Sequence, residues 1–377
     1  MLYILFTWLL TPLWWPVALV RRIATPTPKR IVIAEIAGIG DVVCSASLFQ
    51  ALREQYPDAT IDLLVDPIAK GLVPLLPMVN RVRLFAYPEQ KGLKGRLKLA
   101  FIAKKYDTAI CLIPSAAQLT AFCWGAVPHR LTVLPGNVNT SYRLLAPLMT
   151  RVAYHTDGSY FSATQFELCK SLLPGHQMPQ KALPISKQEG SFQLPADRDW
   201  IGLLVSSGRA LKRLSEAQLV AIIEGLLQNS TQRKRGIILF GGPGDVAQAS
   251  EVLAILAHTD ASANVINTVG QYALAELPSI LRELKLFIGV DSGVTHMADA
   301  LGVPIVCIAG PVDLGEVYAP SKAHQLLCAV ELECYPCSSV FNTPGTCQRG
   351  DRACLQQLSA KAVLAAASTL LEQKHAL

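Results

Sequence analysis
The 377 residues exceed what one ordinary hydrophobic core serves, so two domains are the default expectation. Apolar residues make up 51% of the chain and charged residues only 16%, more apolar than a wholly soluble protein needs. The net charge of +6 is modest, and its basic residues lack the interleaved aromatics of a nucleic-acid reader, which sets that partner class aside.

Residues 1–20 (MLYILFTWLLTPLWWPVALV) carry no charged side chain and are followed at once by Arg21 and Arg22. A secretory signal needs a basic region before its apolar stretch, and none is present. Twenty helical residues would span about 30 Å, enough for a bilayer core. Pro12 and Pro16 would kink or break such a helix, and Trp8, Trp14 and Trp15 favour the headgroup interface. The expectation is an interfacial or re-entrant anchor, with a true span or an arm packed on the protein as alternatives. In a span, Arg21, Arg22, Lys29 and Arg30 would hold the body on the cytoplasmic side.

Strand-length apolar runs follow at 30–35, 60–65, 81–85 and 107–113, with a helix over 41–55. Between Gln90 and Tyr106 lie Lys91, Lys94, Arg96, Lys98, Lys104 and Lys105 with no acid among them. This run reads either as a solvated helix face or as a contact for an anionic partner, a phosphate-bearing glycolipid or the membrane surface. Periodicity fails over 173–198, the candidate linker. Strands then recur at 200–206, 236–240, 286–290 and 305–309, with helices over 215–227, 245–256, 292–301 and 359–371. Short apolar strands alternating with helices predict an α/β chain with parallel sheets covered on both faces.

Four strand-to-helix turns carry candidate chemistry. Gly38-Ile39-Gly40-Asp41 permits close approach to the backbone, but Val43 stands where a dinucleotide fingerprint needs a third Gly or Ala. Asp41 reads as an N-cap or as a general base kept ionised by the helix dipole. In Asp291-Ser292-Gly293-Val294-Thr295-His296 a strand delivers Asp291 to its carboxyl end, and Ser292-Gly293 opens a helix whose N–H groups suit an anion. The plainer alternative makes Asp291 an N-cap and His296 a packed, satisfied histidine. Ser206-Ser207-Gly208-Arg209 with Lys212-Arg213 offers small donors and cations to a diphosphate. Gly241-Gly242-Pro243-Gly244-Asp245 could present Asp245 to a sugar or ribose hydroxyl. Asp197-Arg198-Asp199 precedes a strand and reads as a polar turn instead of a metal site.

IAGIGDVV (36–43) together with FIGVDSGVTHMADALGVPIVCIAGP (287–311) resembles glycosyltransferase family 9, the ADP-heptose–lipopolysaccharide heptosyltransferases. The resemblance runs from about Arg30 onward. It implies a GT-B-type fold, two Rossmann-like domains with a cleft between them, and inverting transfer with no cofactor required. It also implies that Asp41 is the base, with Gly38 and Gly40 forming its loop. Ser207, Lys212, Asp245, Asp291, Ser292, Gly293, Thr295 and His296 would then bind the donor. Asp245 stands where the family usually has Glu, and Lys212-Arg213-Leu214 lacks the family's Trp. The implied partners are ADP-heptose, an anionic glycolipid acceptor touched by Lys91, Lys94, Arg96 and Lys98, and the cytoplasmic face of the inner membrane.

The implied division is 1–29 as membrane-associating segment, 30–185 as acceptor domain, 186–358 as donor domain and 359–377 as closing helix. Cys334, Cys337, Cys347 and Cys354 cluster at a spacing that fits a structural zinc or iron, free thiols or disulfides. Cys44, Cys111, Cys123, Cys169, Cys307 and Cys328 lie mostly in apolar runs and read as buried thiols.

Overall fold
The computed structural model describes residues 1–183, 194–228, 234–321, 323–328 and 331–373. The chain divides into two compact units, Met1–Pro184 and Ile185–Leu377. Residues 184–193, the middle of the expected linker, lie outside the described residues.

In the first unit β1 (Arg30–Glu35), β2 (Thr60–Val65), β3 (Arg81–Leu84), β4 (Thr108–Cys111), β5 (His129–Pro135) and β6 (Arg151–His155) form one sheet. All neighbours are parallel, in the order β3-β2-β1-β4-β5-β6. The helices of this unit are α1 (Leu2–Leu9), α2 (Thr11–Ala24), α3 (Ile39–Gln55), α4 (Gly92–Ala103), α5 (Ala116–Trp124), α6 (Thr140–Leu145) and α7 (Phe161–Cys169). Helices on both faces leave no wet side for the central strands, which is why β1 reads as a continuous apolar run and is buried from Ile31 onward.

The second unit repeats the plan with β7 (Arg198–Leu204), β8 (Lys234–Phe240), β9 (Val265–Asn267), β10 (Leu286–Val290), β11 (Ile305–Ile308) and β12 (His324–Leu327). Its parallel sheet runs β12-β11-β10-β7-β8-β9, which from the opposite edge is the same strand order as in the first unit. Its helices are α8 (Glu216–Gln228), α9 (Val246–Leu256), α10 (Leu277–Leu281), α11 (Gly293–Ala300), α12 (Leu314–Val317), α13 (Ala353–Gln356) and α14 (Ala360–Gln373). In both sheets the order reverses beside the first strand, between β1 and β4 and between β7 and β10. Doubly wound sheets bind ligands at the carboxyl ends of the strands at such a reversal.

The N-terminal apolar stretch is a bent pair of helices, α1 and α2, meeting at 63°. The break falls at Leu10, which ends one helix and starts the other. Pro12 sits in the first turn of α2, where a missing N–H costs nothing, and Pro16 lies inside α2 without ending it. No single helix among the described residues is long and apolar enough to cross a membrane.

Candidate functional site
At the reversal point of the second sheet, β10 is buried throughout and ends at Val290. The register pairs Ile288 with Leu203 of β7, so Asp291 and Ser206 leave the sheet at the same level. Ser292, not Asp291, is the N-cap of α11, its hydroxyl accepting from the Thr295 N–H at 3.4 Å. Thr295 returns its own hydroxyl to the Val290 carbonyl at 2.7 Å. Gly289 makes this close packing possible: a Cβ there would stand 2.7 Å from Thr295 Oγ1.

With capping assigned to Ser292, the Asp291 carboxylate turns inward. Oδ1 lies 2.9 Å from His296 Nε2, and Oδ2 forms an ion pair with the Lys212 ammonium. The Lys212 Nζ also lies 3.4 Å from the Asp291 carbonyl. Burial alone would raise the Asp291 pKa, but the Lys212 charge and then His296 overcome it and hold the carboxyl well below the usual carboxylate range. His296 stacks on Tyr318, ring centroids 4.7 Å apart. The histidine is therefore packed and satisfied while also belonging to the site. Ser292, Gly293 and Val294 stay partly exposed at the start of α11, where a helix presents N–H groups to an anion.

The turn after β7 supplies the cations. Arg213 Nε donates to Ser206 Oγ at 3.0 Å, and its Nη2 lies 3.9 Å from Asp245 Oδ1. Ser207 donates to the Arg209 carbonyl at 3.1 Å, so its hydroxyl serves the turn. Thus Lys212, Asp291, Ser292, Gly293, Thr295 and His296 form one cluster, with Asp245 attached through Arg213 and Ser206. Arg198 and Asp199 of the supposed polar turn belong to β7 itself, and Asp199 is buried.

In the first unit the N-cap of α3 is Gly38, and Asp41 is the third helical residue. Its carboxylate reaches back to accept the Gly38 N–H at 2.8 Å. Asp245 adopts the same arrangement, accepting the Gly242 N–H at 2.8 Å. Each Gly-x-Gly-Asp turn thus fixes a carboxylate at a helix start, where the dipole favours its charge. Gly40 falls in the first turn of α3.

Sequence inspection missed Glu35, the last residue of β1, which is wholly buried. Its Oε2 accepts from Ser45 Oγ at 3.2 Å, while Oε1 has no hydrogen-bond partner. Burial first, and then the nearby Asp41 charge, raise its pKa well above the normal value. The folded state therefore holds a proton that the unfolded chain releases above about pH 4.3, so stability falls as pH rises from there toward the folded-state pKa. Glu35→Gln is expected to abolish this fall, giving a higher Tm than wild type at neutral pH. Melting curves across roughly pH 4 to 9 test this; identical pH slopes for the two proteins would contradict it.

Lys91 caps α4 and Lys94 is exposed on it. Arg96 covers the Tyr3 ring at 4.2 Å, and Lys98 pairs with Glu89 at 2.9 Å. Cys334, Cys337, Cys347 and Cys354 are free thiols, near enough for mutual charge effects to help raise the pKa of Cys337 and Cys354 after burial. Among the described residues, however, no three His, Cys, Asp or Glu side chains gather as a metal-ligand set. Cys111, Cys123, Cys169 and Cys307 are buried as expected, but Cys44 is half-buried and Cys328 is exposed beyond β12.

The family model for glycosyltransferase family 9 (heptosyltransferase) matches residues 159–345. The lipopolysaccharide heptosyltransferase 2 of Escherichia coli (strain K12) is 27% identical over 301 residues, covering 75% of this chain and 83% of the relative. The lipooligosaccharide heptosyltransferase 2 of Haemophilus ducreyi is 26% identical over 321 residues, covering 78% and 87%. Among solved structures, the E. coli ADP-heptose lps heptosyltransferase II matches with a TM-score of 0.68 at 21% identity, over 92% of this chain and 99% of the other. The family 9 glycosyl transferase of Veillonella parvula gives 0.68 at 20% identity, over 92% and 98%. At these identities the structural likeness bears on the fold, which is GT-B-type α/β.

Proposed function
We propose that the chain is a member of glycosyltransferase family 9, whose model matches residues 159–345, and that it moves a heptose from ADP-heptose to the lipopolysaccharide core by inverting, metal-independent transfer. The observation that carries this reading is the Lys212–Asp291–His296 cluster beside the open start of α11 at a sheet reversal. As the bond from the anomeric carbon to the diphosphate breaks, its electron pair leaves with the nucleotide. The developing negative charge meets Lys212 and the N–H groups of α11, preset dipoles and cations that need no metal to act. Asp291 fixes the Lys212 ammonium, and His296 fixes Asp291, so little reorganisation is required. The acceptor oxygen attacks from the opposite face and gives its proton to Asp41, a single-base role. The apolar N-terminal segment holds the body at the cytoplasmic face of the inner membrane, where a lipid-borne acceptor lies.

Two measurements test this. ADP is expected to raise Tm more than UDP or GDP, because a ligand bound only by the native state stabilises it, by about 2.7 kcal/mol at a hundredfold excess over Kd. Transfer from ADP-heptose to a lipopolysaccharide core acceptor is expected without added metal. No stabilisation by any nucleoside diphosphate would remove the transferase assignment of this site. Stabilisation by ADP without heptose transfer would leave the fold and the chemistry but change the sugar or the acceptor.

A further inference from the structure
The N-terminal helix pair is pinned along one side. Ile4, Thr7, Trp14 and Ala18 are buried, and the apolar ones join the cluster that contains Leu119, Phe122 and Cys123 of α5. Hydrogen bonds fix the same side: Trp8 Nε1 donates to the Leu144 carbonyl at 3.0 Å and Trp124 Nε1 to Thr7 Oγ1 at 2.9 Å. The Arg21 guanidinium donates to the Ala126 and Tyr106 carbonyls at 2.9 and 2.8 Å. Drawing this pair out as a transmembrane span would strip all of these contacts. Its two pieces, at about 1.5 Å per residue, are also individually shorter than the roughly 30 Å hydrocarbon layer.

The opposite side is apolar and uncovered. Leu2, Leu9, Leu13 and Ile23 are each at least 70% exposed, and Leu5, Trp15 and Val20 at least half exposed. Helix α4 carries a second exposed apolar row. It packs on α5 beside α1 and touches α1 through Arg96 on the Tyr3 ring. Along its outer side Leu93, Leu97 and Phe101 recur every fourth position, 47%, 52% and 60% exposed, whereas Leu99, Ala100 and Ala103 are buried. Among the described residues, an exposed apolar row at helical spacing on a helix already seated by another row has no partner within the unit.

Charge says what that partner is. Arg22, Lys94, Lys104 and Lys105 are exposed around this surface, and α1, α2 and α4 contain no acid. Glu89, beside α4, is held by Lys98. The Lys104 and Lys105 ammonium groups lie 4.0 and 5.7 Å from the Phe101 ring centre, so an apolar tip is flanked by cations. Aromatic and aliphatic side chains rimmed by lysine suit the headgroup–acyl boundary of an anionic leaflet.

We propose that α1, α2 and α4 form one docking face that lies flat on an anionic membrane surface, α4 inserting Leu93, Leu97 and Phe101 while its lysines engage the headgroups. This rests on the membrane attachment proposed above and adds a second, internal contact and an orientation parallel to the bilayer.

The test uses the full-length protein and sedimentation with vesicles of phosphatidylcholine, alone or mixed about equally with phosphatidylglycerol. Wild type is expected to bind the mixed vesicles more tightly, and salt should weaken that preference. The pair Leu97→Gln and Phe101→Gln is expected to lower binding to both vesicles about tenfold or more. Lys104→Gln with Lys105→Gln should remove most of the preference for the anionic vesicles. Quenching of Trp15 by lipids brominated near the headgroup should exceed quenching by lipids brominated near the chain ends. Wild-type binding by the Leu97/Phe101 variant would overturn the role of α4, as would a change confined to self-association. Strongest quenching at the chain ends would mark a span and overturn the flat orientation. Transfer to a delipidated acceptor sugar is read in parallel. It should be unchanged in all these variants, and its absence in wild type would count against the transferase reading alone.

Discussion

Replacing Asp41 with asparagine is expected to slow sugar transfer by roughly 10²–10⁴-fold while leaving nucleoside diphosphate affinity within about twofold of wild type. The geometry makes this substitution informative. Asp41 Oδ2 accepts the Gly38 N–H, and an asparagine carbonyl can take the same bond, so the start of α3 is preserved. What is lost is the ability to accept a proton in the transition state. Asp41→Ala removes the proton acceptor and the cap together, adding a stability loss of about 1 kcal/mol. The two variants thus separate chemistry from capping. Equal, severe loss of transfer in both, with ADP-induced stabilisation intact, assigns Asp41 as the base. Near-normal transfer by the asparagine variant would reduce the residue to a helix cap.

How far this site is legible in sequence depends on whether its parts are local. The strands β1, β7, β8 and β10 stand out because burial on both faces makes them continuous apolar runs. The strands that escape notice lack that signal. β6, β9 and β12 form or adjoin sheet edges and are mostly half-buried. β5 is interrupted by Arg130, whose guanidinium is buried and donates to the Leu148 carbonyl. The repeated strand order of the two sheets, which sets where ligands bind, has no local trace at all.

The chemistry divides the same way. Gly38–Asp41 and Asp291–His296 are readable because glycine and small polar residues at a strand-to-helix turn have few other uses. Which residue caps each helix is not readable from spacing: Asp41 and Asp291 both look like caps, yet Gly38 and Ser292 hold those positions. Glu35 passes for the last residue of a strand until its complete burial shows why its carboxyl pKa is raised. The pairing of Lys212 with Asp291 joins residues far apart in sequence and emerges only when β7 and β10 are seen as neighbours.

That pairing carries the second large expected effect. Asp291→Ala leaves the Lys212 ammonium without its buried counter-charge, since the two side chains are only 10% and 12% exposed. Removing one partner of a buried pair typically costs about 3–5 kcal/mol. For a unit of this size that lowers Tm by roughly 6–20 °C, measurable by calorimetry. The sign with pH follows from the depressed carboxyl. Its contribution is fully present above the unfolded pKa of about 3.9 and is lost only as pH falls through the still lower folded-state value. The Tm gap between wild type and Asp291→Ala should therefore stay constant from about pH 5 to 8 and narrow only in strong acid. Lys212→Met with Asp291→Leu removes both charges and should cost less than the sum of Lys212→Met and Asp291→Leu measured singly, because no ion is left stranded. ADP-induced stabilisation should nevertheless vanish in the double variant. Stability regained without nucleotide binding would show that the pair is kept for the ligand's charge, whereas additive losses with binding retained would show that Lys212 and Asp291 serve the fold alone.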